Sequence, residues 1–145
     1  MEKFSLTALA REQLVLARQA TSGRSAHTVY GGHEHVLRQT LIALAAGQKL
    51  NEHENPGEAT IHVLRGRVRL GCGGESWEGS AGDLLVVPDA PHDLTALEDS
   101  VVILTVAKLT TPTALVTSRA NADTAPSKSA LIREGLTELE PGNEQ

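Results

Sequence analysis

Aromatic residues are nearly missing from this chain: Phe4, Tyr30 and Trp77 are the only three. A platform that stacks bases or sugars needs several rings on one face, so recognition of nucleic acid or carbohydrate by stacking is not expected. Positive charge is also in deficit. Thirteen Lys and Arg stand against 18 Asp and Glu, for a net charge of −5, and such a chain gains nothing from the counterion release that drives phosphate-backbone binding. Arg65, Arg67 and Arg69 would share one strand face, which reads as a solvated face. Cysteine is limited to Cys72, so no intramolecular disulfide can form. It lies in a Cys-Gly-Gly turn signal and reads as a thiol near the surface. No apolar run approaches the roughly 20 residues of a membrane-spanning helix. The opening MEKFSLTALAREQ has no apolar stretch followed by a cleavage-like site. The expectation is a cytoplasmic protein with neither nucleic-acid nor membrane partners.

What is present is the material for one domain. The length of 145 residues suffices for a single core. Residues 5–22 carry helical spacing, with Ser5 as a cap, Gly23 as a stop, and Leu6, Leu9, Leu16 and Ala20 near one stripe. From residue 27 the texture changes. Short runs rich in Val, Leu, Ile and Thr alternate with turn clusters: Gly31-Gly32, Asn55-Pro56-Gly57, Gly73-Gly74 and Gly79 to Gly82. These runs predict strands near 27–30, 35–46, 49–54, 59–65, 67–71, 75–78, 84–87, 92–97 and 101–107. Arg65-Gly66-Arg67 joins two of them as a tight hairpin would. Many short strands with no long helix between them point to an antiparallel barrel or sandwich. Residues 108–128 lose the pattern and read as a linker. Residues 129–140 group Leu131, Ile132, Leu136 and Leu139 as a short amphipathic helix, weakened by Gly135. The organisation is thus an N-terminal helix and connector (1–26), a barrel (27–108), and a linker with a C-terminal helix and tail (109–145).

The stretch GQKLNEHENPGEATIHVLRG, residues 47–66, holds the densest set of candidate ligands. Gly47 is followed after five residues by His53, and a second glycine stands at Gly66. Further on, in GDLLVVPDAPHD, Gly82 is followed after five residues by Pro88, and then by His92. This order of glycines, proline and histidines resembles the two motifs of the cupin superfamily, and small single-domain bacterial cupins in particular. The resemblance implies an all-β cupin jelly roll, here with an N-terminal and a short C-terminal helix. It also implies a homodimer and a barrel that binds a small molecule, with one divalent metal ion as the cofactor to be tested. In metal-binding members, two histidines and a glutamate of the first motif join the histidine of the second around the ion. Carried over by position, His53 and His92 match the first and last ligands, with the second loop one residue short. Asn55 stands in place of the second histidine, Ala59 in place of the glutamate, and Ala96 in place of the closing asparagine.

The candidate metal ligands are therefore His53, His92 and Glu58, the last being the carboxylate next to Ala59. A regular strand would turn Glu58 away from Ile61 and Val63, while the Asn-Pro-Gly loop before it could turn it inward. Asp89 and Asp93 are close enough in sequence to orient the His92 imidazole. His62 reads as a half-exposed strand residue. His33 and His35 read as exposed histidines sharing a face at a strand end, and His27 as a lone exposed one. Arg38 is expected on the outer face of its strand; turned inward, it could clamp a carboxylate. The thinned ligand set favours a non-catalytic binding or sensing module. The alternative is a metal-dependent enzyme, dioxygenase- or isomerase-like, in which the ion polarises a substrate oxygen or activates dioxygen.

Overall fold

The computed structural model describes residues 1–53 and 57–108, with only the backbone at Glu52 and His53. The expected linker and the C-terminal helix over 129–140 lie outside the described residues. Helix α1 (Leu6–Gln19) begins where the Ser5 hydroxyl accepts the Ala8 N–H at 3.2 Å, an N-cap bond. Nine strands follow among the described residues: β1 (Arg24–Tyr30), β2 (Leu37–Leu44), β3 (Lys49–His53), β4 (Gly57–Arg65), β5 (Arg67–Cys72), β6 (Glu75–Ser80), β7 (Leu84–Val86), β8 (His92–Ala96) and β9 (Ser100–Lys108). They form two sheets, ordered β1-β2-β9-β4-β7 and β3-β8-β5-β6. Every pairing is antiparallel. No helix among the described residues is long and apolar enough to cross a membrane.

Two apolar layers hold this arrangement. Inside the barrel, Ile42, Leu44, Ala59, Ile61, Val63, Val68, Leu70, Leu94, Val102 and Leu104 pack from both sheets. Outside, α1 lies on the five-stranded sheet through Ala10, Leu14 and Ala17, against Leu41, Ala43, Val101 and Ile103. Strand β2 is therefore buried on both faces over Thr40–Leu44, which explains why Leu41-Ile42-Ala43-Leu44 is a continuous apolar run and not an alternating one.

The helix buries a different stripe from the expected one. Leu16 is exposed, whereas Ala10, Gln13, Leu14 and Ala17 are buried. Small residues at 10 and 17 let the helix backbone approach the sheet, and that closeness outweighs leucine count. Two strand limits also differ. β1 starts at Arg24, earlier than expected, and β2 starts at Leu37. His33 and His35 consequently lie in the β1–β2 turn, with the His35 ring 5.0 Å from that of Tyr30.

One end of the barrel is tied by polar contacts. At the tight β4–β5 turn Gly66 has φ +80°, and an added Cβ would collide with the Asp99 carbonyl and Ser100. The Ser100 hydroxyl accepts the Arg67 N–H at 3.1 Å and donates to the Glu98 carbonyl at 2.7 Å. Asp99 joins three elements: its carboxylate accepts the Ala46 N–H at 2.8 Å and the Arg18 Nε–H at 2.7 Å. The Ala46 N–H first, and then the Arg18 side chain, hold its carboxyl below the ordinary aspartate range. A depressed carboxylate stabilises the fold above its unfolded pKa. That contribution is lost as pH falls through the ordinary aspartate range towards the lowered value. Asp99→Asn should therefore flatten the acid side of the stability profile. In urea titrations at neutral pH and at about pH 3, the stability difference between the two pH values should be smaller in the variant than in the unaltered protein. An unchanged difference would show that Asp99 makes no such linkage.

Candidate functional site

The barrel end opposite the Gly66 turn collects the functional candidates, because five strands begin or finish there. His92 opens β8, His53 closes β3, Arg38 lies near the start of β2, Lys108 closes β9, and Gly57 opens β4. On β8 the burial alternates, with His92, Leu94 and Ala96 turned inward. His92 is 4 % exposed. Its Nδ1 lies 2.9 Å from the Ala90 carbonyl oxygen, which can only accept, so Nδ1 carries the proton. In the neutral ring the lone pair is then on Nε2, the form that can ligate an ion or accept a proton. The orienting group is thus a backbone carbonyl and not Asp89 or Asp93. Asp89 is exposed, and Asp93 faces away from the barrel with Lys49 Nζ 3.5 Å from its carboxylate. Pro91 and the Ala90 carbonyl fix the ring from the chain segment that precedes it.

His53 owes its place to a bulge. The β3–β8 register runs Lys49↔Thr95 and Leu50↔Leu94, and then His53↔His92. Three steps on β3 match two on β8, so β3 holds one extra residue. Without it, Glu52 would stand opposite His92. The bulge brings the backbone of His53 to that position instead. The side chain of His53 lies outside the described residues, as does Asn55.

Glu58 is exposed, on the face of β4 opposite to Ala59, Ile61 and Val63. Its neighbour Ala59 is the inward residue, cross-strand from Val106 of β9. Among the described residues, no group of three or more His, Cys, Asp or Glu could hold a metal ion. His27, His33, His35 and His62 are exposed and away from this end's interior.

Three residues of the barrel interior went unread or misread in the sequence. Arg38 is not on the outer face. β2 pairs with β9 without a shift from Leu37↔Ala107 to Leu44↔Ser100. Arg38 and Thr40 therefore share the inner face with Ile42 and Leu44, and Arg38 is 8 % exposed. Lys108, also 8 % exposed, has the inward parity of Val106 and donates from Nζ to the Gly32 carbonyl at 2.6 Å. The alternation Arg38-x-Thr40-x-Ile42-x-Leu44 was the available signal, masked by the apolar residues between. Cys72 has the parity of Val68 and Leu70 on β5 and is half-buried.

Comparison with known proteins places this barrel. Residues 40–108 match the family described as Cupin domain. No curated protein sequence matches the chain. Among solved structures, a conserved protein of unknown function from Streptococcus pyogenes is similar at 25% identity and TM-score 0.57, over 66% of this chain and 86% of that one. An RmlC-like cupin protein from Desulfovibrio desulfuricans is similar at 27% identity and TM-score 0.52, over 58% and 81%. A mutant salicylate 1,2-dioxygenase from Pseudoaminobacter salicylatoxidans shares the fold alone, at 23% identity and TM-score 0.60, over 73% of this chain and 35% of that one.

The His92 geometry makes one prediction. In long-range proton–nitrogen NMR spectra, neutral His92 should show the Nδ1–H tautomer; an Nε2–H tautomer would contradict the bond to Ala90. With nine antiparallel strands in two sheets among the described residues, and the matched segment running from β2 to the end of β9, residues 40–108 carry a cupin domain.

Proposed function

We propose that this cupin is a non-catalytic binding or sensing module whose barrel holds a small molecule at the His92 end. One observation carries the reading: Ala59 takes the inward position at which metal-binding members of the family place a carboxylate ligand, and Glu58 is exposed on the opposite face. A catalytic mononuclear centre takes about three protein ligands and keeps a position open. The backbone of His53 stands cross-strand from the buried His92. A buried histidine and an inward methyl group suit an organic ligand better than a catalytic ion.

The second reading is a metal-dependent enzyme, in which His53, His92 and Glu58 hold one divalent ion. The fixed Nδ1–H form of His92 favours it, since that form presents Nε2 to a metal. Glu58 would have to reach the ion from the exposed face of β4. When bound, the ion would supply Lewis-acid or dioxygen chemistry.

Metal content separates the two. Protein purified without an affinity tag should hold well below one ion per chain. It should gain no stoichiometric ion from Fe, Mn, Ni, Cu or Zn salts. His53→Ala and His92→Ala should leave the content unchanged. A stoichiometric ion that both substitutions remove would overturn the binding-module reading in favour of the enzyme.

A further inference from the structure

We infer that the outer strip of the five-stranded sheet over β4 and β7, beside α1, is the docking surface for the chain's own segment 129–140. The strip lies outside the barrel, so this inference is independent of what the barrel holds.

The two sheets have unlike outer faces. On the four-stranded sheet the outward residues are charged and paired: Arg67 and Arg69 stand against Glu78, and Lys49 against Asp93. That face suits water. On the five-stranded sheet one outward row runs Gln39, Thr105, Thr60 and Val86 across four strands, and the next ends in His62 and Leu84. Residues 60–64 and 84–86 include no Asp, Glu, Lys or Arg. Leu84 is 60 % and Val86 74 % exposed, while Leu85 between them packs on the core. A sheet with one solvated face alternates apolar and polar residues, whereas β7 is apolar on both sides, the pattern of a strand with a layer on each face.

The helix α1 supplies that outer layer only in part. It buries Leu41, Ala43, Val101 and Ile103 of β2 and β9. Its Gln13 meets Ser25 of β1, and its Arg18 reaches Asp99 ahead of β9. The helix thus sits over β1, β2 and β9, and leaves Leu84 and Val86 outside. Two strands make a strip roughly 10 Å wide at ordinary sheet spacing, the width of one further helix.

The path of the chain selects the occupant. β9 ends at Lys108, cross-strand from Gly57 of β4, so the chain leaves the sheet beside the strip. Residues 109–128 span roughly 25 Å as a coil, about the length of β4, so residue 129 can reach either end. Residues 129–140 would extend about 18 Å as a helix. Leu131, Ile132, Leu136 and Leu139 then share one side, with Arg133, Glu134 and Glu140 off it. Gly135 stands in the middle of the stripe. In α1 the small residues Ala10 and Ala17 let a helix approach this same sheet, and Gly135 repeats that device. So short a helix with a central glycine is marginal in water and gains from an apolar surface. Tethering gives the segment an effective concentration of order mM at this surface, which favours it over a second copy or a foreign partner.

The test uses the full chain with its Ile, Leu and Val methyl groups isotopically labelled. Methyl–methyl nuclear Overhauser effects should link Ile132, Leu136 or Leu139 to Leu84 or Val86. In a mixture of labelled and unlabelled chains they should arise within one chain. Val86→Glu should abolish them and speed amide hydrogen exchange across 131–139 at least ~10-fold. Leu136→Glu should abolish the remaining contacts in the same way, while Leu16→Glu on the exposed side of α1 should change neither reading. The contacts in the unaltered chain need no variant, and Leu136→Glu lies outside the barrel, so the test stands even if Val86→Glu fails to fold. Absence of these contacts, contacts formed only between chains, or exchange across 131–139 that neither substitution speeds would overturn the inference.

Discussion

The uninterrupted pairing of β2 with β9, continued into β4, is the constraint on which the rest of this molecule depends. It fixes which side chains face the barrel and which face α1. A slip of one residue would exchange the two sets. Arg38 and Thr40 would then lie under the helix layer with Leu41 and Ala43 turned inward, and both apolar layers would be lost. The α1 contact reinforces the register from outside, through Ala10, Leu14 and Ala17. Asp99 secures it at one end by joining the helix, the β2–β3 turn and the β8–β9 turn.

That register gives the barrel two unlike ends. The Gly66 end is closed by backbone and hydroxyl contacts around Ser100. The opposite end collects Arg38, His92 and Lys108, while the apolar core lies between. The cupin frame is kept in its glycines, its proline and two histidine positions. What has changed is the chemistry around them, since an inward methyl at Ala59 replaces an acid in the family pattern.

Much of the fold was legible in the sequence because the turns announce themselves. Glycine pairs and the Asn-Pro-Gly cluster delimit strands that the structure places within a few residues of expectation. The position of His92 was legible too, from Pro88 and Pro91 ahead of it. What could not be read has a common cause. Where both faces of an element are buried, composition no longer tells the faces apart. Leu41-Ile42-Ala43-Leu44 is apolar throughout, so the side on which Arg38 lies follows only from pairing with β9. The α1 stripe misled for a related reason: alanines at 10 and 17 permit close packing, while Leu16 is left outside. The β3 bulge is a third case, because an inserted residue changes parity without changing composition.

Nuclear magnetic resonance of the isotopically labelled chain, titrated with zinc sulfate, tests the account most directly. The account predicts no saturable shift of the His92 ring signals at one ion per chain. Saturation of the His92 signals at one zinc ion per chain would contradict it.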